Sequence, residues 1–307
     1  MMRVFVTGAT GFIGSAIVRE LIGSGHQVLG LARSDKSAEA LVVAGAEVHR
    51  GSLDDLDSLR RGAEAADGVI HAGFAHDFSD LAGACEKDRC AIETMGRALK
   101  GSNRPFVTTS VITVLRSGHL GTEKDATDPD SAGALRIASE EAALSMAAQG
   151  VRVSVVRLAP CVHDANRQGF ATRLADLAHE KGVSAYVGDG LNRWPAVHRL
   201  DAANLFRLAL ESAPAGSCLH GVGEEEVAFL DIAEAIGRRQ NLPVVSISPE
   251  DAYQHFGWLA QFVLSDNPTS NALTRKWLGW KPTRPSLVAD IEGTIVLMTT
   301  CSLEDKK

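Results

Sequence analysis

Residues 2–14 read Met-Arg-Val-Phe-Val-Thr-Gly-Ala-Thr-Gly-Phe-Ile-Gly, an apolar strand running straight into glycines at 8, 11 and 14. An amphipathic run follows, with Ile13, Ala16, Ile17, Leu21 and Ile22 at helical spacing. A strand, a glycine turn and a helix in that order make a cradle for a dinucleotide pyrophosphate. Gly8 permits the tight turn out of the strand, Gly11 lets backbone approach the phosphates, and Gly14 lets the helix pack on the strand. The helix then points unpaired N–H groups at the anion. Gly8, Thr10, Gly11, Phe12, Ile13 and Gly14 are therefore the first candidate cofactor-binding residues. The alternative, a glycine turn that only joins two elements, explains the spacing less well.

Strand-like runs recur near 2–7, 27–32, 46–49, 67–72, 104–110 and 151–158, and helical periodicity fills 12–24, 36–44, 54–62, 78–100 and 132–149. That alternation predicts an α/β fold, a Rossmann-like doubly wound parallel sheet covered on both faces. The pattern breaks after residue 160. A helix near 169–181, a helix near 200–212, a strand near 217–222, a helix near 229–240, a strand near 244–248 and further helices follow. The expected division is a dinucleotide-binding domain over 1–160 and a second, mixed α/β part over 161–307.

The chain carries 31 basic and 38 acidic residues, a formal charge of −7, and no basic block, which argues against a nucleic-acid partner. No apolar run reaches the ~18 residues of a membrane span. The first residues form a core strand rather than a cleavable signal, and a cytoplasmic location is expected. The five cysteines (85, 90, 161, 218 and 301) show no metal-binding spacing and read as reduced thiols. Cys161 reads as a small buried hydrophobe rather than a reactive thiol.

The second strand ends in Ala32-Arg33-Ser34-Asp35. An NAD site places a carboxylate there for the ribose 2′-OH. A guanidinium pairs with a 2′-phosphate instead, and a hydroxyl adds a donor. Arg33 and Ser34 thus favour NADP, while Asp35 keeps NAD open as a ribose acceptor.

Residues 7–14, Thr-Gly-Ala-Thr-Gly-Phe-Ile-Gly, match letter for letter the motif of the extended short-chain dehydrogenase/reductase family, which this chain resembles. The resemblance continues at Gly51–Asp54 (adenine-side turn), Val69–Ala72 (fourth strand), Val151–Pro160 (sixth strand) and Leu278–Pro282 (C-terminal signature). It implies that residues 161–307 build a smaller substrate lobe with some segments returning to the first sheet, that Ser52 and Leu53 flank the adenine, and that His71, Ala72 and Pro160 line the cofactor. It also implies a homodimer through the helices near 78–100 and 132–149. The stripe on the first of these helices is equally needed for an intramolecular core.

One departure is severe. The family's Tyr-x-x-x-Lys becomes Arg136-x-x-x-Glu140 here, and neither tyrosine of the chain, Tyr186 or Tyr253, precedes a lysine by four. Arginine stays protonated and cannot act as a general acid. Arg136 could stabilise an oxyanion or bind an anionic substrate. Glu140 could accept from ribose hydroxyls. The two could equally form an ordinary i, i+4 ion pair. A replacement proton donor is sought in His163 and Tyr186, both titratable and placed by the resemblance near the cleft. Ser110, with Thr113 as second choice, is the expected carbonyl-holding hydroxyl, unless these hydroxyls serve the backbone. His76, Asn192, Arg193 and Trp194 are the expected substrate-binding residues, with a loop pinned by the Trp as the alternative. No metal site is expected. The resulting expectation is an NADP(H)-dependent oxidoreductase acting on a carbonyl or related C=X group of a small substrate. The alternatives are a catalytically silent NADP-binding redox sensor or a nucleotide-sugar epimerase or dehydratase.

Overall fold

The computed structural model describes residues 1–75, 80–167 and 169–293. The elements run β1 (Arg3–Thr7), α1 (Phe12–Gly23), β2 (Gln27–Ala32), α2 (Asp35–Val43), β3 (Glu47–Arg50), α3 (Leu56–Glu64), β4 (Gly68–His71), α4 (Leu81–Leu99), β5 (Pro105–Val111), α5 (Ile137–Ser145) and β6 (Arg152–Leu158). They continue with β7 (Cys161–His163), α6 (Phe170–Lys181), β8 (Ser184–Val187), β9 (Arg193–His198), α7 (Arg199–Ser212), β10 (Ser217–Gly221), β11 (Glu224–Ala228), α8 (Phe229–Gln240) and β12 (Val244–Ile247). Four short helices close the described chain: α9 (Ala252–Phe256), α10 (Ala260–Val263), α11 (Ala272–Leu278) and α12 (Leu287–Gly293).

Seven strands form one parallel sheet in the order β3-β2-β1-β4-β5-β6-β10. It is buried on both faces because side chains alternate along each strand. Val4 and Val6 of β1 join Ile17, Leu21, Phe206 and Leu210 under α1 and α7. Phe5 points the other way, into Leu59, Met95 and Ala143 under α3, α4 and α5. The stripe Ala84, Cys85, Ala91, Ile92, Met95 and Leu99 of α4 is buried within the chain. The order reverses at β1, so β1 and β4 flank the switch point at which such sheets bind ligands beyond their carboxyl ends.

Past residue 160 the chain divides between two cores. Helix α7 and strand β10 return to the first sheet. The rest builds a second core around a β11-β9-β7 sheet and a β12-β8 pair, with Trp194, Phe229 and Ile232 at its centre. Strands β7 and β11 have no sequence signal: β7 is three residues long, and β11 opens on three glutamates. Pairing with β9, not intrinsic propensity, makes them strands. The helix expected over 132–149 is a short α-helix flanked by 3₁₀ turns at Ala134–Arg136 and Met146–Gln149.

Candidate active site

The β1–α1 turn has the geometry of an anion cradle. Gly8 adopts φ +65°, and a Cβ there would lie 2.5 Å from the Ala72 carbonyl oxygen. A Cβ at Gly14 would lie 2.0 Å from the Gly8 carbonyl oxygen. Either addition would force the turn apart. Above Gly11 the space is open except for the Gly8 oxygen. Gly11 is the N-cap of α1 and supplies no side-chain cap, so the first N–H groups of α1 have no partner from it. A pyrophosphate satisfies those donors and fits that opening. Ala72 and Gly73 form the opposite wall, with Leu53 packed against Gly73.

At the end of β2, Arg33 is exposed and no carboxylate pairs with it among the described residues. Ser34 is the N-cap of α2, and its hydroxyl and N–H are engaged with Ser37 in a capping box. The cap fixes the Ser34 hydroxyl at the start of α2, where its oxygen accepts from the Ser37 N–H. Asp35 is held by Arg50 at 2.7 Å. Its charge is offset there, and Arg50 brings a second guanidinium to the same edge. Ser52 turns its own loop, accepting from the Asp54 N–H. Two further arginines lie over Phe12, the first residue of α1: Arg199 at 4.9 Å and Arg167 at 5.5 Å from the ring centroid. Arg199 also pairs with Asp164 at 3.1 Å.

The α5 side differs from the expected arrangement. Arg136 is the N-cap residue of α5, and its side chain reaches β5. Its Nη2 donates to the Thr109 carbonyl oxygen at 2.8 Å and lies 3.3 Å from Asp88 Oδ2, and its guanidinium sits 4.2 Å from the Phe74 ring centroid. Some 12% of its side chain stays exposed. Glu140 does not pair with it. Both Glu140 oxygens take hydrogen bonds from Arg157 of β6, and both side chains are sealed beneath α5. A ribose cannot reach a carboxylate so enclosed, which corrects that expectation. Burial alone would lower the Arg157 pKa; the Glu140 contact outweighs it and raises it. Ser110 is buried with its hydroxyl unpartnered, while the Thr109 hydroxyl donates to the His71 carbonyl oxygen. Adjacent strand residues face opposite sides, and Ser110 faces the packed side. Thr113 is buried as well.

The other candidates are engaged elsewhere in the fold. His163 is fully buried, its Nδ1 2.6 Å from Asp290 Oδ2. No substrate can touch it. Tyr186 belongs to β8, which pairs with β12, and its ring packs on the second core. Asn192 donates to the carbonyl oxygens of Val263 and Ser265, Arg193 pairs with Asp266 and Glu226, and buried Trp194 donates to the Phe262 carbonyl oxygen. These three pin their loop to the second lobe. Pro160 stands where the chain leaves β6, its carbonyl oxygen accepting from the Phe170 N–H at 3.4 Å. His71 lies beneath the crevice between Thr7 and Asp88. His76 lies outside the described residues. Burial pushes the Cys161 thiol up to about 12, so it stays protonated and inert. No group of acidic, His or Cys side chains suited to a metal ion occurs among the described residues.

Asp88, Arg167 and Arg199 were not singled out by the sequence. Asp88 had a signal: it sits in register with Ala84, Cys85, Ala91, Ile92 and Met95 on the apolar stripe of α4. A lone acid on a buried stripe requires a partner. The two arginines carry no such pattern.

A parallel sheet with a glycine cradle at its switch point defines a nicotinamide-dinucleotide oxidoreductase fold. Residues 4–219 match the NAD dependent epimerase/dehydratase family, and the chain belongs to it. An uncharacterized Schizosaccharomyces pombe protein is 51% identical over 292 residues, covering 94% of this chain and 98% of that one. The 2-alkyl-3-oxoalkanoate reductase of Stenotrophomonas maltophilia is 30% identical over 232 residues, covering 71% and 68%. The dTDP-glucose 4,6-dehydratase of Streptomyces venezuelae, solved with NAD bound, superimposes with a TM-score of 0.77 at 19% identity, over 97% of each chain. Relatives thus include reductases and sugar-modifying enzymes on one fold. No helix among the described residues is long and apolar enough to cross a membrane.

Proposed function

We propose that this chain is an NADP(H)-dependent oxidoreductase that reduces a carbonyl group of a small substrate. The observation that carries the reading is Arg136, held at the carboxyl end of β5 where the family resemblance expects a phenol. Bound nicotinamide would supply a hydride to the carbonyl carbon. The chain's own residues do the rest. The uncapped start of α1 holds the pyrophosphate, and Arg33 with Arg50 favours a 2′-phosphate over a free ribose. Arg136 donates hydrogen bonds to the carbonyl oxygen as negative charge develops on it. Arginine cannot give up a proton at working pH, so the proton that completes the alcohol comes from water admitted at the cleft. A relative named for reducing a 3-oxoalkanoate supports ketone reduction. Epimerase or dehydratase chemistry requires a base for sugar hydroxyls, and Glu140 is sealed away from that task.

The test is a substrate panel followed at 340 nm. Ketones, aldehydes and sugar nucleotides are each offered with NADPH and with NADH. NADPH oxidation on carbonyl compounds supports the reading; turnover only on sugar nucleotides, or tight NADPH binding without turnover across the panel, overturns it. The cofactor arm uses Arg33→Ala. Hydrogen bonds to charged groups contribute roughly 1.5–3 kcal/mol, so NADPH affinity should fall roughly 10- to 100-fold with NADH affinity unchanged.

A further inference from the structure

Behind Arg136 a row of buried groups runs to the floor of the dinucleotide crevice. The Gly73 N–H donates to Thr7 Oγ1 at 3.2 Å. Thr7 Oγ1 lies 2.6 Å from His71 Nδ1, and His71 Nε2 lies 3.1 Å from Asp88 Oδ1. Asp88 Oδ2 faces Arg136 at 3.3 Å. Thr7, His71 and Asp88 are all buried.

Proton counting gives the row one direction. Asp88 lies below the ordinary carboxylate range: burial is the largest influence and pushes it up, but the hydrogen bond from His71 and the charge of Arg136 prevail. An ionised Asp88 only accepts, so His71 Nε2 carries the proton. In a neutral ring Nδ1 then only accepts, so the Thr7 hydroxyl donates to it while its oxygen accepts from the Gly73 N–H. The neutral Nε2–H tautomer of His71 pairs both the Thr7 hydroxyl and Asp88 Oδ1, and leaves Asp88 Oδ2 facing the Arg136 guanidinium as an ion pair rather than a hydrogen bond. Turning any one of them leaves a buried donor or acceptor unpaired.

We propose that Thr7, His71 and Asp88 form a positioning chain that holds the Arg136 guanidinium in one orientation at the cleft and ties it to the cofactor turn. What Arg136 does there rests on the reductase reading; that the chain orients it does not. Asp88 and His71 are positioning residues, since neither reaches the cleft.

The experiment uses the full chain without cofactor, labelled with ¹⁵N-arginine and ¹⁵N-histidine, as parent, Asp88→Asn and Thr7→Val. In the parent, His71 should show the Nε2–H tautomer and Arg136 a protected Nε–H, since that nitrogen is buried. Exchange of that proton should speed roughly tenfold or more in Asp88→Asn, and by less in Thr7→Val, as local opening becomes easier. With substrate, kcat in Asp88→Asn should fall on the order of 10²-fold, with dinucleotide affinity unchanged. It should fall no further when Asp88→Asn is added to Arg136→Gln. Unchanged Arg136 exchange in both variants overturns the proposal. So does lost dinucleotide affinity with the Arg136 signal unmoved, because the row would then only prop the glycine turn. If Asp88→Asn does not fold, Thr7→Val and His71→Gln carry the same readout. Should no carbonyl be turned over, the reductase reading fails while the exchange data still decide the chain.

Discussion

Two buried clusters in this molecule pair an imidazole with a carboxylate, and they serve different ends. In the first sheet, His71 and Asp88 meet at 3.1 Å, and the row ends on Arg136, which keeps part of its guanidinium side chain open. In the second lobe, His163 and Asp290 meet at 2.6 Å, and His163 itself is fully buried. His198 stands edge-on to His163 at 5.5 Å, and Glu224 takes the N–H of Leu287. The first cluster sits at the ligand edge of a parallel sheet. The second fastens α12 to the three-stranded sheet. Residue types alone do not separate them; access to the cleft does.

The largest effect that would test this contrast is on turnover. Arg136→Lys keeps the charge facing Asp88 but loses the planar fork. Its kcat on carbonyl substrates should fall by about 10²–10³, the usual loss when an oxyanion donor is removed, with the melting temperature little changed. His163→Gln should do the opposite. Removing the imidazole takes the 2.6 Å hydrogen-bond partner from a buried Asp290 oxygen, at a cost of about 1–3 kcal/mol, so the melting temperature should drop while kcat of the folded fraction holds. Kinetics and thermal melts on the same samples decide it. If His163→Gln lowers kcat without a change in stability, the sealed cluster is the reactive one.

Acid should separate the two clusters next. Burial, the largest influence, holds His198 below the ordinary imidazole value of 6.5, against the pull of Asp290 and Asp201 and with His163 and Arg284 assisting. A base with a lowered folded pKa binds its proton more readily in the unfolded chain. Its stabilising contribution is complete above about pH 6.5 and is lost as pH falls below that. The mechanism is local: His198 Nδ1 accepts the Leu200 N–H at the start of α7, and a protonated ring cannot. Asp88 behaves differently. Its folded pKa lies below 3.8, so its contribution is present above pH 3.8 and is lost only on further acidification. Amide exchange, corrected for intrinsic rates, should therefore show β9 and α7 loosening below pH 6.5 while β4 and α4 hold. His198→Gln should flatten the first transition. Simultaneous loosening of both regions would break the contrast.

The sequence carried the first sheet more fully than the site. Glycines 8, 11 and 14 and the β-branched runs announce their strands because local sterics dictate them. Strand β11 is invisible because Glu224 pairs with β9 against its own preference, and Glu225 and Glu226 fall in a break of the register before Val227 and Ala228 pair again. Of the residues expected in the site, Arg33 follows β2 and is exposed, as a charge just past a strand end is expected to be. Ser110, Glu140 and His163 were placed by their order along the chain. Order does not tell which face of a strand or helix a side chain takes, and in all three the packed face won. Glu140 shows why most clearly: it sits on α5 and its partner Arg157 lies 17 residues away on β6, beyond any local pattern.

The smallest effect concerns the loop of Asn192 to Trp194, which has the sealed character of the second cluster although the resemblance places it beside substrate. The Asn192 amide spans the carbonyl oxygens of Val263 and Ser265 at 2.8 and 3.2 Å. Asn192→Ala removes two neutral hydrogen bonds from a half-buried position, each contributing about 0.5–1.5 kcal/mol. Stability should fall by about that much per bond, and KM should not move. A KM that rises in a variant of parental stability would place this loop with Arg136, and the boundary between the reactive half and the fastening half would then run through the second lobe.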